Sequence, residues 1–185
     1  MRRLTLLIIC LCFLTSCKGE ESALAQANLF RAELLSKGGC AFTVDIQADF
    51  GQGIHSFSVA CDSDARGVVT MEVLSPETIA GICATVDGDT GKLQYDGLSL
   101  TFGMLAHDSI SPVSAPGLLA DCWMSEFVLS AGTEGECYRA SYEKKISDKV
   151  LLLDTYFENG VPISAEICYN NMKIIHMEIS DFCYH

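Results

Sequence analysis

A mainly β fold of the α+β kind, an antiparallel sheet of about ten or eleven strands bent until it nearly closes, with one helix before it and one in its middle, is what this sequence predicts. Three observations point there. The polar–apolar period is two over most of the chain, turn residues separate the runs at short intervals, and only two stretches carry a helical period. Strands do not alternate with helices and no internal repeat is found, so a parallel sheet is not expected. A β-sandwich is the alternative, but it has less use for the helices.

The chain opens on Met1-Arg2-Arg3, followed from Leu4 to Leu14 by a mostly apolar run and then by Thr15-Ser16-Cys17. A charged start, a short apolar core and small residues, in that order, make a secretory signal peptide. The run is too short to cross about 30 Å of hydrocarbon, which takes about 20 helical residues. Leu14-Thr15-Ser16-Cys17 also resembles the bacterial lipobox, a leucine three positions before a cysteine with two small residues between. Cys10 and Cys12 fit as small apolar residues of the leader; only Cys17 has the lipobox spacing. The resemblance implies that residues 1–16 are removed and that the Cys17 thiol carries diacylglycerol. Two acyl chains tether stably where one binds marginally, at about 0.8 kcal/mol per buried methylene. Cys17 is then the mature N-terminus on the extracytoplasmic face of a cell membrane, residues 17–22 form a short tether, and residues 23–185 form one domain.

The formal charge of the 185-residue chain is −12, and the part beyond Arg2 and Arg3 stands at −14. Such a field repels phosphate backbones and anionic headgroups, so no nucleic-acid partner is expected. A hydrophobic fraction of 49% beside 19% charged residues is that of a folded domain. Beyond Cys17 lie Cys40, Cys61, Cys83, Cys122, Cys137, Cys168 and Cys183, an odd number with no close pair. They fit small apolar side chains on strand faces, or one or two disulfides, or, with least support, a metal site.

From Glu20 to Lys37 the sequence reads as a helix, because Ala23, Ala27, Phe30 and Leu34 recur at helical steps and Gly38-Gly39 ends them. At Cys40 the period turns to two: Phe42, Val44, Ile46, Ala48 and Phe50 alternate with polar residues. Gly51-Gln52-Gly53 turns the chain into a second strand, Ile54 to Asp62, where Phe57 and Val59 share a face with His55 and Cys61. Strands are expected at Gly67 to Leu74, Ile79 to Val86, Lys92 to Tyr95 and Leu98 to Phe102, forming a meander. Pro116 suits a first helical turn, and Leu118, Leu119, Cys122 and Trp123 make an apolar patch at helical spacing. Four more strands follow: Phe127 to Gly132, Glu136 to Tyr142, Lys149 to Phe157 and Val161 to Tyr169. Asn159-Gly160 makes a hairpin turn between the last two, and Asn170-Asn171 leads into a final strand, Met172 to Phe182.

That order resembles the LolA-like lipoprotein-carrier superfamily, in particular its lipid-anchored Gram-positive versions. The resemblance runs from Phe30 to Trp123 and is most specific at Ser75-Pro76-Glu77-Thr78-Ile79-Ala80-Gly81 followed by Tyr95-Asp96-Gly97. It implies an incomplete antiparallel β-barrel whose helices cover a hydrophobic cavity on the concave side, holding an acyl chain or a lipidated protein. The cavity candidates are Phe42, Val44, Ile46, Phe57, Val59, Met71 and Val73 from strands, with Leu118, Leu119 and Trp123 from the covering helix. All ten are also core positions in any fold of this class. An envelope interaction module with a filled core is the competing reading; it predicts no cavity.

Chemistry is sparse. The motifs of serine hydrolases, zinc proteases, phosphate-binding loops and EF-hands are missing from the sequence, and neither enzymatic activity nor a cofactor or metal is expected. His55, His107, His176 and His185 are scattered. His176 and Glu178, near Cys183 and His185, fit a solvated strand edge better than a metal site. Asp87-Gly88-Asp89 is turn chemistry before it is a calcium loop.

Overall fold

The structure, a computed structural model, describes residues 17–49, 51, 53–88, 90–103, 105–106 and 109–185. The signal-peptide expectation for residues 1–16, together with Phe50, Gln52, Asp89 and His107, lies outside them.

Helix α1 (Cys17–Lys37) starts three residues before Glu20, so residues 17–22 are its first turns. Its stripe faces the core as expected: Ala23, Ala27, Phe30 and Leu34 are at most 2% exposed. Gly38 and Gly39, with φ of +86° and +133°, stop it and turn the chain into β1 (Gly39–Asp49). The meander continues through β2 (Ile54–Asp64), β3 (Val69–Ser75), β4 (Cys83–Asp87), β5 (Thr90–Tyr95) and β6 (Leu98–Gly103). A small hairpin of β7 (Leu105–Ala106) and β8 (Ser109–Ile110) and a 3-10 turn (Pro112–Ser114) lead into helix α2 (Ala115–Ser125). The chain closes with β9 (Val128–Glu134), β10 (Cys137–Ile146), β11 (Lys149–Glu158), β12 (Val161–Tyr169) and β13 (Met172–Tyr184).

Eleven of these strands form one antiparallel sheet in the order β6-β5-β4-β3-β2-β1-β13-β12-β11-β10-β9, which does not close into a barrel. The expected mainly β architecture with two helices is therefore present. The sheet is strongly curved, because α2 touches β2 and β3 on one half and β10 on the other. Flat, β3 and β10 would lie six strand spacings or about 29 Å apart. An eleven-residue helix is only about 16 Å long. Both helices pack on the concave face. α1 runs alongside β9, closer to it than to any other strand. No helix among the described residues is long and apolar enough to cross a membrane.

Two local expectations are corrected. Ile79 to Gly81 is not strand: the chain after Pro76 forms a turn in which the Ile79 N–H donates to the Pro76 carbonyl at 3.0 Å and the Gly81 N–H to the Val73 carbonyl at 2.9 Å. β4 begins only at Cys83, since Gly81 holds φ of +82°. β13 is an interior strand between β1 and β12, so His176 and Glu178 lie on the outer face of the sheet and not at its edge. Near its end β13 carries a bulge at Asp181, φ +52°, across from Ala41 and Thr43 of β1. The extra residue reverses the alternation, turning Phe182 and Tyr184 inward and Cys183 outward.

Candidate functional site

The ten cavity candidates converge on the concave face. Phe42, Val44, Ile46, Val59, Met71, Val73, Leu118, Leu119 and Trp123 are all at most 5% exposed, while Phe57 is half-buried at the margin. α2 seals them. The Trp123 ring stands edge-on to Phe30 at 5.4 Å and beside Phe42 at 5.6 Å, and its Nε1–H donates to Thr155 Oγ1 at 3.0 Å. At the other end of α2, Gly117 lies so close to β4 that a Cβ there would come within 2.6 Å of Val86 Cγ1.

Charge holds the C-terminal end of this cover. Arg31, half-buried on the flank of the α1 stripe, donates from Nε to the Trp123 carbonyl at 3.0 Å and from Nη2 to the Cys122 and Glu126 carbonyls. The Cys122 carbonyl also accepts the capping Glu126 N–H at 3.2 Å, whereas a helix leaves carbonyls such as that of Trp123 without an intrahelical partner, and a cation here meets the favourable pole of the helix dipole. Lys144 of β10 adds ion pairs of 2.6 Å to both Asp121 and Glu126. Burial works against its charge, but the hydrogen bonds to the two carboxylates outweigh it and raise its pKa above the ordinary lysine value. No polar side chain caps the N-terminal end of α2.

Beyond β4 the apolar face of the sheet emerges from under the helices. Met71, Ala84, Leu93 and Leu100 are successive cross-strand partners, so all four share the core face. The first two are buried, Leu93 is half-buried and Leu100 is 63% exposed. Tyr95 and Leu98, paired on the same face, are 54% and 75% exposed, and Phe102 lies over Gly91. The result is an apolar lip of Leu93, Tyr95, Leu98, Leu100 and Phe102, continuous with the core and open to solvent. The sequence-derived set drew only on earlier strands and α2 and missed it. The signal was the alternation in Leu98-Ser99-Leu100-Thr101-Phe102, a core-type pattern at the end of the sheet.

No family model and no curated protein matches the chain. Several solved structures are similar to it in fold. They include an uncharacterised conserved protein from Thermus thermophilus, with 6% identity and a TM-score of 0.47 over 86% of this chain and 87% of that one. A LolA superfamily protein from Nitrosomonas europaea gives 11% identity and a TM-score of 0.45 over 90% and 94% of the two chains. The lipoprotein LppX from Mycobacterium tuberculosis gives 13% and 0.41 over 88% and 95%. At these identities the likeness is one of fold alone.

The outer face of the sheet carries charged clusters among scattered exposed apolar residues such as Ile54 and Val150. His176 Nε2 lies 2.7 Å from Glu178 Oε1 and Nδ1 lies 3.4 Å from Glu166 Oε1, with Lys173 bound to Glu166 at 2.8 Å. Cys183 points outward one bulge away, and His185 pairs with Asp62 at 3.4 Å, so the residues considered as metal donors are not brought together. No group of three or more metal-binding side chains occurs among the described residues. A cleft of about 530 Å³ on the outward side of β2 to β5 is bordered by Asp62, Thr70, Glu72, Cys83, Thr85 and Gln94. Asp87 and Gly88 form the exposed β4–β5 turn.

All seven cysteines from Cys40 onward are free thiols. Burial, with smaller contributions from Asp62 and Cys183, pushes Cys40 up to about 12, and burial likewise raises Cys61 and Cys122. These three are core-filling side chains rather than nucleophiles, because the reactive form of cysteine is the thiolate.

Proposed function

We propose that the protein is a membrane-tethered bacterial lipoprotein that binds a hydrophobic ligand, an acyl chain or a lipidated partner, in its half-barrel. The observation that carries this reading is the apolar lip of β5 and β6, which continues the core face out from under α2 into solvent. An acyl chain laid on Tyr95, Leu98 and Leu100 meets an unbroken apolar surface leading beneath the helix. The grip of Arg31 and Lys144 on one end of α2 lets its opposite end yield around a ligand. The protein works by binding and release, without covalent chemistry. Cys17 is its lipidation site, residues 1–16 its signal peptide, and residues 23–185 its binding domain on the extracytoplasmic face of the membrane.

Native mass spectrometry with lipid extraction, on protein purified gently from a bacterial host, tests the ligand. Acyl species are expected to co-purify. Tyr95→Glu, at a half-exposed lip position outside the core, is expected to weaken uptake of a fluorescent fatty acid at least about tenfold, or about 1.4 kcal/mol. The anchor has its own test: metabolic labelling with an alkyne fatty acid is expected to mark the protein and to fail on Cys17→Ser. Labelling that persists in that variant would disprove the assignment.

A second reading has an observation in its favour. Leu118, Leu119 and Trp123 are wholly buried among the ten candidates, so the space beneath α2 is closely filled. That suits an envelope module which acts through its acidic outer surface on a protein partner. A clean ligand-free mass together with no fatty-acid uptake would decide for it.

A further inference from the structure

We propose that β6 is a pairing edge, on which a second copy of this chain adds its own β6 antiparallel about Leu100. The sheet ends at β6 on one side and at β9 on the other. β9 is flanked by α1. β6 has no pairing partner outside β5 among the described residues, and none of the usual guards of an exposed edge. Leu98–Gly103 contains no charged residue and no proline, and its register with β5 runs without a bulge.

Self-pairing follows from how these six residues read in both directions. Antiparallel alignment about Leu100 sets Leu98 opposite Phe102, Ser99 opposite Thr101, and Leu100 opposite its own copy. Every apolar side chain then meets an apolar one and every hydroxyl a hydroxyl, the pairings that stabilise neighbouring strands. A two-fold axis perpendicular to the sheet keeps the concave faces on one side. The Leu98 and Leu100 side chains, 75% and 63% exposed in one copy, are then covered by those of the other. Charge selects this edge. The chain carries −12, so two copies repel over most of their surface, and β6 presents no carboxylate to its counterpart. Asp96, in the β5–β6 turn, lies beyond the end of the paired stretch. The pairing does not rest on the ligand reading, although it covers Leu98 and Leu100 of the lip on which that reading lays the acyl chain, and sedimentation reads it without any ligand.

Sedimentation velocity on the full chain in density-matched non-ionic detergent, across a wide concentration range, tests it. A monomer–dimer equilibrium is expected. Leu100→Lys puts two like charges face to face and is expected to weaken dimerisation at least about tenfold, with an unchanged circular dichroism spectrum. Leu129→Lys, at the opposite edge, is expected to leave it intact. Mixing Leu100→Lys with Leu100→Glu is expected to restore a mixed dimer, which only self-apposition of position 100 permits. A chain that stays monomeric throughout, or one that captures an extended peptide on β6 without self-associating, would overturn the proposal. So would a dimer indifferent to both Leu100 substitutions.

Discussion

Replacing Trp123 with alanine is expected to cost about 3–5 kcal/mol of folding stability, the range for deleting a large buried aromatic. Trp123 is wholly buried. It joins both helices to the two halves of the sheet: its ring meets Phe30 of α1, Phe42 of β1 and, at 6.2 Å, Phe182 of β13. The substitution also leaves the Thr155 hydroxyl, itself fully buried, without its indole donor, and an unpaired buried polar group adds about 1–3 kcal/mol. Domains of this size are stable by only about 5–15 kcal/mol, so the variant should unfold at much lower urea. Thr155→Val, which spares the ring but strands its N–H, should show the smaller of these effects. A Trp123→Ala loss below about 1 kcal/mol would show that the ring sits in slack space, against the packing described above.

Two adjacent glycines should answer very differently to the same substitution. At Gly39 a Cβ would lie 1.9 Å from the Ser63 carbonyl oxygen, with φ at +133°. The obstacle is the backbone of the paired strand, which cannot swing aside as a side chain can. Gly39→Ala is expected to destabilise by about 3 kcal/mol, combining backbone strain with loss of the first β1–β2 pairing. At Gly38, φ is +86° but nothing lies within 4 Å of the built Cβ. Gly38→Ala should cost only the left-handed penalty of about 1–2 kcal/mol. Urea unfolding of both variants measures the gap, and equal losses would contradict the close approach of β1 to Ser63.

The order of elements was legible because each is stated locally. The helical recurrence of Ala23, Ala27, Phe30 and Leu34 and the strict alternation of β1 need no tertiary information, and Asn159-Gly160 marks its hairpin by turn chemistry alone. Two features were not legible locally. Ile79 and Ile82 look like strand residues, yet Pro76 and Gly81 close a turn around them. The outward placement of Cys183 depends on a bulge at Asp181, and a one-residue slip inverts every face after it. The candidate site was legible only as composition. The ten apolar positions do gather on the concave face, but which part α2 covers is set by the curl of the sheet. Arg31 illustrates the limit: only the fold brings it to carbonyls more than ninety residues away.

The lodging of α1 beside β9 has a consequence for stoichiometry. A protein with two bare sheet edges can join head to tail, and such contacts propagate into filaments. Here α1 lies against β9 at one terminus of the sheet, a neighbour from the same chain that β6 does not have, and a two-fold contact through β6 uses the same edge of both copies. An assembly begun at the other terminus is complete after one addition. That arrangement separates limited association from uncontrolled polymerisation.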